Sequence, residues 1–406
     1  MAPTNTWFGK LISACFLGLL CLLFLGMGQK GADKKTQKAL PKGSESTSDW
    51  PHYRGGAKQQ GHAPGVLGES LHPLWRIETQ GPLHSSAVIR NGRVYVGSNG
   101  GNIYALSLKT GQTLWTFQTQ GPVEASPTLL DTSLVVGSTD GSLYSLSLKD
   151  GKLLWRYETE GKILGAATRL RTPSGTRVVA VGSYDGQLHA VNERTGKALW
   201  TYETQNFLHG SPGIWKGNLV AGGCDSHVHV VSPKGTLVKK IPVGAQVGAS
   251  PLIHGNLAFV GSYGNRFMEI DLSNGQVSWE YSNKGFPFFS SAAMARNTLF
   301  VGGRDRRIHA INQEDGKALW TFPTQGKVDG SPVLCDGKLL AGSYDGRLYM
   351  LNHKDGKQLW SFDLGAPILA TPAVSDAMVV IGAIDGSLHA FGPKPSNPTQ
   401  KTNPKK

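Results

Sequence analysis

Apolar and polar residues alternate along most of this chain in short runs that end at glycine-containing turns. The clearest run recurs with little change, as VGSTDGSLYSL (136–146), VGSYDGQLHAV (181–191), AGSYDGRLYML (341–351) and IGAIDGSLHAF (381–391). Looser copies begin at residues 96, 221, 260 and 301, so eight copies follow one another at spacings of 39 to 45 residues. Alternation with a period of two is typical of β-strands, and a regular spacing of this length is typical of repeat architectures.

Each repeat contains the pattern of four strands. A small residue and a proline, as in Ser126-Pro127, open a short apolar first strand, and a turn leads into the second. Asp140-Gly141 predicts a two-residue hairpin between the second and third strands, because glycine readily adopts the positive φ that such turns need. The fourth strand carries a tryptophan, as in Lys-Ala-Leu-Trp at 197–200. The sequence therefore predicts an all-β fold, an eight-bladed β-propeller of four-stranded antiparallel blades.

Tryptophan marks the fourth strand in six repeats, and a seventh copy precedes the first repeat. The aligned residues are Trp115, Trp155, Trp200, Trp279, Trp320 and Trp360. Repeat four has Lys239 at this position, and repeat eight stops at Phe391 before its fourth strand. Residues 72–79 match the missing strand and contain Trp75, so we expect them to complete the eighth blade and close the ring, which removes the open sheet edges. We interpret all seven tryptophans as structural docking residues, because a buried indole removes a large apolar area from water.

The two ends of the chain differ in composition from the repeats. Residues 11–27 form a 17-residue apolar run, which suits the core of a signal peptide and just reaches the length of a membrane anchor. The formal net charge is +13 over 406 residues, and part of it lies in these ends. No basic–aromatic motif for nucleic acid accompanies the charge. We therefore divide the chain into a signal peptide or N-terminal membrane anchor (1–28), a disordered linker (29–48), the propeller (49–391) and a basic disordered tail (392–406).

The segment from Ala190 to Trp200 resembles the tryptophan-docking motif of pyrroloquinoline quinone (PQQ)-type propeller repeats. The DWPHYRG stretch at 49–55 also resembles the lead-in of exported bacterial PQQ-binding-like β-propellers. One branch of this superfamily is the quinoprotein alcohol and glucose dehydrogenases, which hold PQQ and Ca²⁺ and use an adjacent cysteine pair. The other branch is non-catalytic and includes outer-membrane assembly factors of the BamB type. Cys224 and Cys335 lie far apart in the chain, so the resemblance favours the non-catalytic branch and implies export.

Histidine and aspartate recur at two places in the repeat. The histidines are His189, His229, His309 and His389, and tyrosine fills the same position in other repeats, as at Tyr144. Equivalent positions of a propeller are spread around a ring, so we interpret this position as an aromatic slot and not as a metal site. Cys224 and His227 lie close to His229, but no fourth zinc ligand accompanies them. Aspartates such as Asp140 and Asp185 precede a turn glycine, which indicates a hairpin role.

A further set of residues precedes the first strand of each repeat, where the central channel of a propeller opens. The aligned positions are His84, Glu124, Leu164, His209, Gly248, Phe289, Asp329 and Leu369. Propellers commonly bind ligands or partner segments at this mouth. We therefore predict a contact site formed by the four ionisable members, His84, Glu124, His209 and Asp329.

Apart from the repeat pattern, the sequence contains no motif typical of an enzyme, so we expect no catalytic, cofactor-binding or metal-binding residues. We predict a monomeric, non-enzymatic propeller in the periplasm or cell envelope, acting as a scaffold or recognition module for an envelope protein and not for nucleic acid. Residues 11–27 would supply any membrane attachment. Two alternatives stay open: a minimal PQQ-dependent dehydrogenase with PQQ and Ca²⁺, and a BamB-like outer-membrane protein assembly factor.

Overall fold

Each of the first seven repeats contributes four antiparallel strands to one sheet, because its alternating runs are joined by tight turns that reverse the chain direction. The computed structural model describes residues 49–394, and the sheets in this range form the eight blades of a closed β-propeller. The eight-bladed fold predicted from the repeats is confirmed. The predicted signal peptide or anchor, the linker and most of the basic tail lie outside the described residues.

Two strands precede the first repeat, β1 His62–Ala63 and β2 His72–Glu78. The first four blades take their strands in chain order from the channel outward. They are blade 1 (β3 Val88–Arg90, β4 Arg93–Gly97, β5 Asn102–Ser107, β6 Thr113–Gln118), blade 2 (β7 Thr128–Leu129, β8 Ser133–Gly137, β9 Ser142–Ser147, β10 Leu153–Glu158), blade 3 (β11 Thr168–Arg171, β12 Arg177–Gly182, β13 Gln187–Asn192, β14 Ala198–Glu203) and blade 4 (β15 Gly213–Trp215, β16 Asn218–Gly222, β17 His227–Val231, β18 Leu237–Pro242).

The remaining blades follow the same order, except that the outer strand of blade 8 comes from the start of the chain. They are blade 5 (β19 Leu252–His254, β20 Leu257–Gly261, β21 Phe267–Asp271, β22 Gln276–Tyr281), blade 6 (β23 Ala293–Ala295, β24 Thr298–Gly303, β25 Arg307–Asn312, β26 Ala318–Pro323), blade 7 (β27 Val333–Cys335, β28 Lys338–Gly342, β29 Arg347–Asn352, β30 Gln358–Asp363) and blade 8 (β31 Ala373–Ser375, β32 Met378–Gly382, β33 Ser387–Gly392, then β2).

The core lies between neighbouring blades. Middle strands face a blade on each side and are therefore apolar along their length; every residue of β8 is buried. The outer strands face solvent on one side, so Trp115 is the one buried residue of β6. Among residues 49–394, the helical structure is a single 3₁₀ turn, Tyr53–Gly55, and no helix has the length and apolar character needed to cross a membrane.

The ring is closed by pairing between the two ends of the described chain. β2 lies antiparallel to β33, with Trp75 opposite Ala390 and Arg76 opposite His389. The prediction that the strand around Trp75 completes the eighth blade is confirmed. This pairing covers the edge of β33 that would otherwise lie open, so blade 8 has four strands like the other blades.

The aligned tryptophans join each blade to the next. The Trp115 indole lies flat on the turn at Gly151 in blade 2, where an added Cβ would come within 2.6 Å of the ring. Its Nε1 donates a hydrogen bond to the carbonyl of Leu148, 3.3 Å away. Glycine is required at this turn both for its positive φ of 71° and for the close approach of the indole. The same contact recurs in the pairs Trp75–Gly111, Trp155–Gly196, Trp200–Gly235, Trp279–Gly316 and Trp320–Gly356.

Two junctions depart from this arrangement. In blade 4 the Lys239 ammonium donates to the carbonyl of Ser273, which replaces the indole N–H as donor while Gly275 lies without a ring above it. In blade 7 the Trp360 ring packs edge-on against Phe391, with 5.5 Å between ring centroids. Blade 8 has no glycine turn to receive Trp360, because the fourth strand of that blade comes from elsewhere in the chain.

We expect Trp200→Ala to lower the free energy of unfolding by about 3 kcal/mol, because it removes the indole that joins blades 3 and 4 and leaves a cavity above Gly235. Equilibrium denaturation in urea would measure the change. The matched control is Leu199→Ala, since Leu199 precedes the tryptophan and is 43% exposed; this control should change the free energy of unfolding by less than about 0.5 kcal/mol. Equal effects of the two substitutions would contradict the docking role.

Candidate interaction site at the channel mouth

The central channel opens at the end where the first strand of each blade begins. A cavity of about 340 Å³ lies at this opening, and we call it the mouth cavity. Its lining includes all of the aligned positions that precede the first strands: His84, Glu124, Leu164, His209, Gly248, Phe289, Asp329 and Leu369. Equivalent positions of the eight repeats therefore form a circle of residues around a single cavity.

A belt of hydroxyl groups holds this circle together just inside the mouth. The Ser86 amide donates to Ser126 Oγ in the next blade at 3.0 Å, and the Ser211 amide donates to Ser250 Oγ at 2.8 Å. The belt closes where the Thr371 amide of blade 8 donates to Ser86 Oγ of blade 1 at 2.8 Å. This role explains why a small hydroxyl residue begins the first strand of most repeats.

The other end of the channel is covered by residues 50–63, which we call the floor segment. Its backbone hydrogen-bonds with the ends of first strands in six blades, beginning with mutual bonds of 2.8 and 2.9 Å between Trp50 and Ile89 in blade 1. Later bonds run from the amides of Leu129, Ile214, Ile253, Met294 and Leu334 to carbonyls of the floor segment. Tyr53 reaches from this segment into the mouth cavity, where its hydroxyl lies 3.1 Å from Ser331 Oγ. The mouth cavity is therefore a blind pocket.

Arg54 anchors the floor segment. Its side chain is fully buried and donates to the carbonyls of Gln59, Ala292 and Pro332. Burial lowers the pKa of Arg54 to about 10, so the guanidinium stays charged near neutral pH. Gly61 packs so closely that an added Cβ would lie 2.5 Å from this guanidinium. The arginine of the lead-in motif therefore has a structural role, which the motif alone did not reveal.

Three of the predicted contact residues lie on the side of the mouth formed by blades 1, 2 and 4. His84 Nδ1 is 3.6 Å from Glu124 Oε2, and Asn99 Nδ2 donates to Glu124 Oε1 at 3.2 Å. The proximity of the His84 ring is the main reason that the pKa of Glu124 is lowered. Burial lowers the pKa of His209 and raises the pKa of Tyr184 to about 12. The Tyr184 hydroxyl therefore keeps its proton, and it forms a hydrogen bond with His209 Nδ1, 2.7 Å away.

The fourth predicted residue, Asp329, lies on the side formed by blades 6 and 7. Arg304 binds both of its carboxylate oxygens at 3.0 Å, and Lys327 Nζ lies 3.3 Å from one of them. Both cations also cover aromatic rings, since Arg304 Cζ is 3.8 Å from the Phe289 centroid and Lys327 Nζ is 3.9 Å from the Tyr344 centroid. The structure thus brings His84 and Glu124 into direct contact but places Asp329 in a separate cluster.

The alignment of first strands did not identify the partners in that second cluster. Arg304 and Tyr344 occupy the turn between the second and third strands, and so do Asn99 and Tyr184 on the other side of the mouth. These four residues occupy the same position of the repeat. Each comes directly after the Gly-Ser or Gly-Gly pair at the end of the second strand. The variation in residue type at this position was the one feature of the sequence that could have identified these partners of the mouth residues.

The recurring histidines occupy a slot between neighbouring blades. His189 Nε2 donates to Asp185 Oδ2 at 2.9 Å, and the Tyr157 hydroxyl of blade 2 donates to His189 Nδ1 at 3.0 Å. The same arrangement holds His229 and His309, while Tyr144 takes the position by donating directly to its aspartate. Asp185 also accepts from the Gln187 amide, so it has the predicted hairpin role as well as its bond to the histidine. The hairpin is longer than the two residues predicted, since Ser183–Gly186 separate β12 from β13.

The family model described as "Outer membrane protein assembly factor BamB" matches residues 70–222, 185–320 and 304–394, which together span nearly the whole propeller. The chain belongs to this family of PQQ-like β-propellers. The resemblance inferred from the tryptophan-docking motif is confirmed.

Individual relatives of the family match a smaller part. The BamB protein of Escherichia coli K12 is 32% identical over 94 residues, which is 22% of this chain and 23% of that protein. Among solved structures, BamB from Moraxella catarrhalis aligns with a TM-score of 0.68 at 17% identity, covering 80% of this chain and all of that chain. A quinohemoprotein alcohol dehydrogenase from Comamonas testosteroni aligns with a TM-score of 0.72 at 13% identity, covering 88% of this chain and 83% of that chain. At these identities the structural matches show a shared fold.

The histidine slot leads to a prediction about pH. Burial, with a smaller effect of Arg76, lowers the pKa of His389 from 6.5 to about 4. Below pH 6.5 His389 is therefore protonated in the unfolded chain but stays neutral in the folded protein. The free energy of unfolding falls as the pH is lowered from 6.5 to about 4, by at most ~1.4 kcal/mol per pH unit for this group.

Urea denaturation at pH 7 and pH 5 would test this dependence. His389→Tyr, which introduces the residue found in this slot in other blades, should lose less stability between the two pH values than the natural protein. His254→Tyr alters an exposed histidine and should leave the pH dependence as it is. Parallel losses in all three proteins would show that His389 does not contribute.

Proposed function

We propose that this propeller is a non-enzymatic scaffold of the bacterial cell envelope that holds a segment of a protein partner at the mouth cavity. The observation that carries this proposal is a blind pocket whose rim is built from side chains held in place on both sides. His84 and Glu124 restrain each other on one side, and the Arg304–Asp329 pair does so on the other. Rigid polar groups in the same circle as apolar side chains such as Leu164 and Leu369 suit the recognition of a side chain inserted from a partner.

The mouth cavity does not suit PQQ. The quinone is a flat molecule with several carboxylates, so it needs unpaired cations, and the dehydrogenases also stack it on a tryptophan. Arg304 and Lys327 are both bound to Asp329, and none of the residues lining the cavity is a tryptophan. Cys224 and Cys335 belong to blades 4 and 7 and cannot form the adjacent pair of the dehydrogenases. Within residues 49–394, no group of three histidine, cysteine or acidic residues is arranged to hold a metal ion. These features support a propeller without PQQ and Ca²⁺.

The family match supports a more specific form of the proposal. The relatives are named as outer-membrane protein assembly factors, and the family model spans nearly the whole propeller. We therefore propose an extracytoplasmic location and a partner among the proteins that assemble outer-membrane barrels. Co-purification of the full chain with such an assembly protein would support this form, and a partner of another kind would replace it.

The use of the mouth can be tested by site-specific photo-cross-linking in envelope preparations. A photoreactive residue at Leu369, inside the mouth cavity, should form an adduct with the partner, whereas one at the outward-facing Leu199 should not. Changing His84, Glu124, His209 and Asp329 together to alanine should weaken the isolated partner's affinity at least tenfold, or about 1.4 kcal/mol. Full affinity in that variant, or adducts from Leu199 alone, would show that the partner binds elsewhere.

The enzyme alternative requires a separate measurement. We expect purified full chain to show no saturable binding of micromolar PQQ, with or without Ca²⁺, and no reduction of an electron-accepting dye with alcohols or sugars. Saturable one-to-one binding of PQQ accompanied by dye reduction would contradict the scaffold proposal and establish a minimal dehydrogenase.

A further inference from the structure

A second large cavity lies on the face of the propeller opposite the mouth. Its volume is about 640 Å³, and it is formed by blades 5, 6 and 7 together with the floor segment. Five basic side chains line it, and we call it the floor pocket: His62, His254, Arg296, His353 and Lys354. None of the residues lining the pocket is acidic.

These basic groups come from separate elements that the fold brings together. His62 belongs to β1, His254 ends the first strand of blade 5, and Arg296 follows the first strand of blade 6. His353 and Lys354 form the turn between the third and fourth strands of blade 7. First strands end on this face and third strands end on it too, so turns of three consecutive blades converge on one cavity.

The positive charge of the floor pocket is not neutralised within the described part of the chain. The side chains of Arg296 and Lys354 have no hydrogen-bond or ion-pair partner there, and both residues are exposed. The acids on the neighbouring turns are engaged elsewhere: Asp336 lies 3.0 Å from Lys338 Nζ, and Asp355 lies 3.3 Å from Lys357 Nζ. Unpaired cations in a concave site favour an anionic ligand.

His353 shows how the pocket is organised for such a ligand. Its Nδ1 lies 2.6 Å from the carbonyl of Gly337, and a carbonyl oxygen only accepts, so Nδ1 carries a proton and donates it. Nε2 is then directed away from that carbonyl. The buried Met294 and Leu334 and the half-exposed Leu319 form the apolar part of the lining beside these basic groups.

We propose that the floor pocket binds a phosphate group, presented either as free phosphate or as the headgroup of an anionic lipid. The Arg296 guanidinium supplies a planar fork of donors that matches two phosphate oxygens, and Lys354 supplies a second full charge. The structure also favours a lipid headgroup as the source of the phosphate. β33 ends on this face and is followed by Lys394, which adds a positive charge on the same side as the pocket. This inference does not depend on the use of the mouth cavity.

Binding of inorganic phosphate to the full chain in a chloride buffer would be measured by isothermal titration calorimetry. In parallel, sedimentation would compare phosphatidylcholine vesicles with vesicles in which a third of the lipid is phosphatidylglycerol. The test variant is Arg296→Ser with Lys354→Ser. The matched control is Lys216→Ser with Lys234→Ser, because these exposed lysines occupy the corresponding turns of blade 4 outside the pocket.

We expect saturable phosphate binding that weakens at least tenfold in the test variant and stays unchanged in the control. Sedimentation that requires phosphatidylglycerol and follows the same variants would assign the phosphate to a lipid headgroup, and its absence would assign the site to free phosphate. No saturable binding of either probe, or equal losses in both variants, would overturn the proposal. Should the double test variant fail to fold by circular dichroism, Lys354→Glu alone gives the same comparison.

Discussion

The flat contact between an indole ring and a turn glycine sets the geometry on which the rest of this propeller depends. It lies near the outer rim of the ring, where Trp115 rests on Gly151 with no space for a side chain between them. The belt of hydroxyl groups makes a second contact between the same blades near the channel, as between Ser86 and Ser126. Two contacts at different distances from the axis fix the angle between neighbouring blades, and a constant angle fixes how many blades close the ring.

The fold and part of the candidate site could be predicted because both follow from the repeat. Alignment of repeats gave the eight blades, the closing strand around Trp75 and the circle of residues at the mouth, since each depends on position within one unit. The pairing within that circle was not predictable. Whether Asp329 meets Arg304 or His84 depends on how far apart the blades lie, and that distance is a property of the closed ring.

Residues outside the repeat were harder to interpret. Arg54 was visible in a recognisable lead-in motif, yet its function became clear only when the floor segment was seen beneath the channel. The Arg54 guanidinium is fully buried and donates to backbone carbonyls. Because every residue has a backbone carbonyl, the sequence contains no acidic partner that would point to this role. The tyrosine partners of the slot histidines were missed for a related reason, since Tyr157 and His189 belong to different blades and meet across their interface.

The closure of the ring also has a consequence for how the protein is made. β2 ends at Glu78 and its partner β33 ends at Gly392. The first strand of the ring can therefore pair only after the more than 300 residues between the two strands have been synthesised. A ribosome or an export channel delivers the chain from its N-terminus, and the seven blades formed earlier would stand as an open arc with β2 unpaired. Closure is therefore the last pairing step when the ring folds from its N-terminus, and a chain shortened within β33 would be left with an exposed edge that promotes aggregation.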